Sequence, residues 1–266
     1  MLDISIHKNS SSVNVNINDH SFNVPLHWFR DQFGKEWEPK TADFFAKNLK
    51  PGSGFLDIGA WVGPTAMIAS SLGAGYVKII EPNPVNFFHL LTTQINNNLL
   101  CDWQLVNACV SSDRTSKIIG PIEGIASSSS ATNIRDPHQS GARIISLKLE
   151  DLIETKDDFS LIKIDIEGAE AFVISDFYNF ANLNAAIWLS IHPPFISNKH
   201  GFLKELLELD PFFYFVDVSN KEILKEDLEV WILTNEEKPE WGTSWGNFFE
   251  IGLLPKVAFD KTGSRI

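Results

Sequence analysis

The chain has 266 residues, 44% hydrophobic and 21% charged, enough for one large α/β domain or two small ones around a sizeable core. Its 34 acids against 22 bases give a formal charge of −12, opposite to the basic footprint of a general nucleic-acid binder. The apolar runs are strand-sized, the opening MLDISIHKNSSS lacks a secretory pattern, and Cys101 and Cys109 offer no disulfide framework or zinc spacing. No membrane span is expected, and the expected setting is cytoplasmic.

Residues 1–24 alternate polar and β-branched residues, which suits an antiparallel hairpin turning near Asn18-Asp19. Helices are expected around 26–33 and 40–49. From Gly54 the pattern changes to strand-then-helix units. The expected strands are Phe55–Ile58, Tyr76–Glu81, Trp103–Val110, Leu161–Ile166, Ala186–Ile191, Phe213–Val218 and Glu229–Leu233, with helices over 63–72, 84–98, 169–179 and 199–208. Near-continuous apolar strands alternating with helices predict a mostly parallel sheet covered on both faces. The stretch SNKEILKED is too short for a crossover helix, so the last two strands are expected to form an antiparallel edge pair. Such a seven-stranded α/β arrangement resembles the Rossmann-like class I methyltransferases. Residues 1–50 are read as an N-terminal hairpin-and-helix extension packing on the core, and 51–266 as the main domain. An insertion over about 116–149 adds strands at SKIIGP and RIISLKLEDL, and its Ser- and Gly-rich 122–142 loop reads as a substrate cover or a tolerated insertion.

The segment FLDIGAWVG places Asp57, Gly59, Ala60 and Gly63 where the first core strand ends and a helix begins. The middle glycine of a dinucleotide fingerprint is missing, and an acid just before the first glycine is an odd neighbour for a diphosphate. S-adenosylmethionine, cationic and amino-acid-bearing, fits better. Backbone at Gly59 can approach its methionine moiety, while Asp57 attracts the ammonium. Glu81, in IIEPNP at the second strand end, is placed to accept the ribose hydroxyls. Pro82 and Asn83 shape the turn into the next helix, and Asn107 and Ala108 fall near an adenine edge.

These segments resemble the FkbM-type methyltransferases over roughly Trp37 to Trp188. WEPKTADFF is similar to the family's aromatic-Glu-Pro segment with a following Thr, FLDIGAWVG to its glycine motif, and EPNPVNFFHLL and VNACVSSD to its next strand ends. ISLKLEDL is similar to its Leu-Asp-Asp-Leu run, and LIKIDIEGAE is the most specific match. The resemblance implies that Glu38 and Thr41 join the cofactor site. It also implies S-adenosylmethionine-dependent O-methylation of a hydroxyl on a sugar, glycan or polyketide-derived metabolite, without fixing which.

Methyl transfer from a sulfonium needs an aligned acceptor oxygen and a group to take its proton. Both belong at the C-terminal rim of the sheet. In the usual strand order Asp57, Asp165 and His192 finish side by side. His192 is the first candidate base. Asp165 is expected to act as base, to orient the His or to bind the methionine end, and Glu167 is a further catalytic candidate. Alternation puts Lys163, Asp165 and Glu167 on one face and Trp188, Ser190 and His192 on one face of the next strand. Glu170 reads as serving a helix start. With no second acid pair in sight, no metal is expected. HPPF (193–195 after His192) echoes an amine-methylating motif but comes one strand late, which leaves N-methylation of a macromolecule, or a non-catalytic S-adenosylmethionine-binding relative, as alternatives. Phe195, Trp61, Trp241 and Trp245 are candidates for stacking on an acceptor, though core or edge packing suits them better.

Overall fold

The computed structural model describes residues 4–8, 12–25, 38–121, 132–135, 138, 140–154, 158–234 and 248–256. The expected helix at 26–33, most of the 122–142 loop, Trp241 and Trp245 lie outside them.

The N-terminal segment forms β1 (Ile4–Lys8), β2 (Ser12–Ile17) and β3 (His20–Pro25), a three-stranded antiparallel sheet that contains the expected hairpin. Asn18 supplies the turn with φ 52°, a conformation Asn tolerates. Helix α1 (Pro39–Asn48) leads to β4 (Gly54–Ile58), α2 (Pro64–Ser71), β5 (Tyr76–Ile80), α3 (Pro84–Asn96) and β6 (Asp102–Val106). All three helices carry a proline in their first turn, where its fixed φ suits the helix and its missing N–H is not needed.

The chain then makes short strands: β7 (Cys109–Val110), β8 (Lys117–Pro121), β9 (Thr132–Arg135), β10 (Ala142–Ile144) and β11 (Ser146–Leu147). β10, β8 and β9 build a small antiparallel sheet, while β7 and β11 pair in parallel. The single long strand expected over Trp103–Val110 is therefore two: β6 in the main sheet and β7, which pairs with β11 of the insertion.

Back in the main sheet come β12 (Phe159–Ile164), the one-turn α4 (Tyr178–Ala181), β13 (Ala186–Ile191), α5 (Lys199–Leu207), β14 (Phe213–Val216), α6 (Lys225–Leu233) and β15 (Phe249–Pro255). The order is β14-β15-β13-β12-β4-β5-β6, with β15 antiparallel to both neighbours and the other pairs parallel. This is the expected Rossmann-like sheet, whose topological switch lies between β4 and β12. Every residue of β4, β12 and β13 is buried, because helices cover both faces. On the α1 side Trp188 stacks on Phe44 with ring centroids 4.4 Å apart.

Two expectations are corrected. Glu229–Leu233 is part of α6, with Glu226 and Asp227 at its positive end and Leu228 and Ile232, one turn apart, buried. The seventh strand is β15, inserted between β13 and β14, so the antiparallel strand sits inside the edge. The helix expected over 169–179 is instead two single 3₁₀ turns (Ala169–Phe172 and Ile174–Asp176) before α4. The β-branched pair Val173-Ile174 resists α propagation, and Val173 takes φ −127° between the turns.

Candidate active site

Register across β4, β12, β13 and β15 sets side chains in rows on the α1 face. Lys163 pairs with both Asp57 and Trp188, and Ser190 pairs with Glu250. Asp165, Glu167, His192 and Phe248 lie past the strand ends, at the rim. Asp57 therefore sits one row beneath Asp165, not beside it.

In the lower layer each acid meets donors. Thr65 Oγ1 donates to Asp57 Oδ2 at 2.6 Å, and Lys163 Nζ lies 3.6 Å from Oδ1, which makes no hydrogen bond. Lys163 donates to the Gly59 carbonyl at 2.8 Å and lies 3.3 Å from Asp165 Oδ2. Burial pushes the lysine pKa down, but Asp165, Asp57 and Glu38 outweigh it and keep the ammonium charged. Glu250, fully enclosed, accepts from Thr41 Oγ1 at 3.2 Å, Trp188 Nε1 at 3.2 Å and Ser190 Oγ at 3.4 Å. Burial, then the charge of Asp165, raises its pKa to about 7. Glu38, at the start of α1, is raised too, by burial and by the charges of Glu250 and Asp165. The Thr41 hydroxyl is thus engaged twice inside the protein, giving to Glu250 and accepting from Trp188.

The upper layer is open. Asp165 and Glu167 are 30% and 28% exposed, while the His192 side chain is 5% exposed. His192 Nε2 stands 3.6 Å from Asp165 Oδ1 and 3.5 Å from Glu167 Oε2, and Nδ1 lies 3.0 Å from Glu170 Oε1. Phe248 and Phe195 stack on the ring at 5.0 and 6.2 Å. Burial alone would lower the His192 pKa, but Glu170, Asp165 and Glu167 together hold it at about 9. An imidazolium has no lone pair for a proton, so in this charge state His192 is not a base by itself. Glu167 is pushed up to about 7, chiefly by burial, with His192 opposing.

Local backbone makes this convergence possible. β12 stops at Ile164, and Glu167 (φ 54°) and Gly168 (φ 93°) take consecutive left-handed conformations that swing the Glu167 carboxylate back towards His192. Such a conformation at a glutamate is uncommon and marks stored strain. Gly59 (φ 79°) is required for a reason other than the expected one: a Cβ there would meet the Asp165 carbonyl oxygen at 1.8 Å. Close approach of the two strand ends, before any ligand, demands glycine.

On the other side of the switch, Glu81 is held by three donors: Trp61 N–H to Oε2 at 2.8 Å, and Asn83 N–H at 2.8 Å and Asn86 Nδ2 at 3.2 Å to Oε1. Burial raises its pKa to about 7 against these bonds. Asn83 also caps α3 by accepting from Val85 N–H. Asn107 Nδ2 donates to the carbonyls of Glu81 and Pro82 at 2.8 and 3.2 Å, while Ala60 and Ala108 are buried. Gly63 (φ 90°) starts α2.

The structure thus joins Asp165, Glu167 and His192 at the rim and ranges Asp57, Gly59 and Glu81 along the switch. A fixed acid after β5 and a buried Asp57 oxygen without a hydrogen bond suit the hydroxyls and ammonium of S-adenosylmethionine. Three residues were missed. Glu170, read as serving a helix start, is buried and grips both His192 and the Ile166 N–H at 3.1 Å. Lys163 was visible as a charge inside an apolar strand. Glu250 lies in a strand the sequence did not disclose.

Among the described residues no helix is long and apolar enough to cross a membrane. No curated protein matches the chain. Solved structures with similar folds include a candidate rRNA methylase from Clostridium thermocellum (10% identity, 85% of this chain and 99% of that one, TM-score 0.49). Trm5b from Pyrococcus abyssi is similar at 14% identity, over 95% of this chain and 57% of that one, with a TM-score of 0.46. The T. thermophilus 16S rRNA methyltransferase RsmC is similar at 11% identity, over 92% of this chain and 51% of that one, with a TM-score of 0.45. The chain spans about half the length of the latter two. In sequence, the methyltransferase FkbM domain model matches residues 57–229, from the first acid of the glycine motif into α6. That match takes in the switch and most of the rim, and the chain belongs to the FkbM family of S-adenosylmethionine-dependent methyltransferases.

Proposed function

We propose that this methyltransferase acts on a hydroxyl of a sugar, glycan or polyketide-type metabolite, received at the rim formed by Asp165, Glu167 and His192. The observation that carries the reading is the convergence of these three side chains on one gap beside Gly59, just past the ends of β12 and β13. When bound, S-adenosylmethionine supplies a methyl group already activated by its sulfonium. Glu81 would hold the ribose hydroxyls, and Asp57, Gly59 and Asp165 the methionine end, with Glu38 adding a carboxyl group nearby and Asn83, Asn107 and Ala108 bounding the adenine side. The rim side chains hold the acceptor oxygen in line and take up its proton as the new C–O bond forms.

The charge of −12 favours a small molecule or glycan over a polyanionic nucleic acid. Incubating the protein with S-adenosylmethionine and panels of sugars, glycans and hydroxylated metabolites tests this. Mass spectrometry is expected to find a methyl ether. Methylated RNA, or a methylated amine in a protein, with no methyl ether would overturn the acceptor class. Absence of S-adenosylmethionine binding by calorimetry would overturn the cofactor role of this chain.

A further inference from the structure

The geometry points to a divalent-cation site at the rim, with Asp165 Oδ1, Glu167 Oε2 and His192 Nε2 as protein ligands. An ion bound there takes the place of the Nε2 proton, which leaves to water while Glu170 faces the proton kept on Nδ1. All three atoms lie within 4.8 Å of one another. First-row divalent ions bind such donors at about 2.0–2.2 Å, which puts neighbouring donors roughly 3.0–3.5 Å apart. The observed 3.5 and 3.6 Å from Nε2 to the carboxylates are just wider, and a small rotation of two partly exposed side chains closes them.

Acid clusters are common on surfaces; the histidine sets this one apart. Its side chain is 95% buried by the measure above, sandwiched by Phe195 and Phe248, and held through Nδ1 by the fully buried Glu170. A carboxylate on one ring nitrogen that aims the other at an ion is the outer support that metal-binding histidines use. Nε2 is aimed into the gap, with no hydrogen bond to either carboxylate. Asp165 divides its oxygens, Oδ2 towards Lys163 and Oδ1 towards the gap. The strained backbone at Glu167 serves the same convergence.

One nitrogen and two carboxylate oxygens favour Mn²⁺-class ions over a closed zinc centre, and leave positions for acceptor oxygens. The inference deepens the proposed O-methylation. An acceptor whose hydroxyl has a neighbouring oxygen would chelate; with the three rim side chains occupied by the ion, its acidified proton would leave to water at the open rim instead of to them. It also departs from the sequence expectation of no metal.

The test needs no acceptor. Mn²⁺ is titrated into the chelator-stripped full chain, without cofactor, and free Mn²⁺ is followed by electron paramagnetic resonance. One site is expected, with a Kd on the order of 10⁻⁵–10⁻⁴ M, weakened about 10–100-fold in Glu167→Gln and His192→Ala. The exposed-acid control Glu150→Gln should bind like the parent. No binding at millimolar Mn²⁺, or equal binding in parent and Glu167→Gln, would overturn the site. The isosteric Glu167→Gln keeps the test decisive if His192→Ala does not fold. Calorimetry with S-adenosylmethionine on the same samples separates the two ideas: retained cofactor binding without Mn²⁺ binding removes only the ion, whereas loss of cofactor binding removes the methyl-transfer reading.

Discussion

Two acid-rich layers lie one above the other on neighbouring strands, and they behave differently. In the lower one Glu250 faces Thr41, Trp188 and Ser190 and Asp57 Oδ2 faces Thr65, donors sealed from water, with Asp57 Oδ1 alone left without a hydrogen bond. In the upper one Asp165 and Glu167 converge on a single ring nitrogen at distances too long for hydrogen bonds, with water at hand. Buried polar groups that are satisfied hold a fold together. Groups that converge without satisfying one another leave room for a reactant. We therefore read Glu250 and its donors as frame and the rim above them as the proposed working surface.

Substitutions can break this comparison. The largest effect is expected in the upper layer: His192→Ala should lower turnover by about 10²–10⁴-fold, with S-adenosylmethionine affinity in calorimetry nearly unchanged. Full activity would move the rim's work to the two carboxylates. Glu81→Ala, across the switch, should weaken S-adenosylmethionine binding by about one to two orders of magnitude through loss of charge-assisted hydrogen bonds, leaving the acceptor KM alone. An unchanged cofactor Kd would show that Glu81 only shapes the turn.

The lower layer is expected to answer in stability. Glu250 keeps its proton up to about pH 7 in the folded chain but only to its ordinary 4.5 when unfolded. Between these values the native state binds more protons, so its contribution to stability falls as pH rises through the window and stays low above it. Glu250→Gln should therefore raise stability by about 2 kcal/mol at pH 8, with little change at pH 4.5, as read by urea midpoints. Glu81 and Glu167 retain part of the slope. An unchanged slope would mean that Glu250 is ionised and compensated. Thr41→Val is the mildest case, expected to cost about 1 kcal/mol with turnover within a few-fold. A collapse in S-adenosylmethionine affinity would support the cofactor role that the resemblance implies.

The working surface was more legible in the sequence than its supports. Asp165, Glu167 and His192 follow apolar strands, and alternation alone assigns their faces. β4, β12 and β13 were readable because burial on both faces leaves an apolar run. β15 was not, because FEIGLLP carries Glu250 inside and Gly252 and Pro255 against strand propensity. Gly252 is there since a Cβ would meet the Phe44 ring at 2.4 Å, a long-range cause that no local pattern reveals. EVWIL in α6 erred the other way, as five residues too few to separate a strand from a half-buried helix. Glu170 does sit in the first turn of a helix, but its hold on His192 went unseen because that partner is 22 residues away.

The position of β15 bears on how the enzyme comes into being. Late in the chain, it slips between β13 and β14 and brings Glu250 under Ser190 and, just ahead of its first residue, Phe248 against His192. Until it arrives, β13 presents a bare edge and the histidine lacks one of its two aromatic walls. A nascent chain that has already made the glycine motif and all three rim side chains therefore still lacks a finished reaction chamber. We infer that the rim is completed only once β15, the last of the described strands along the chain, has docked.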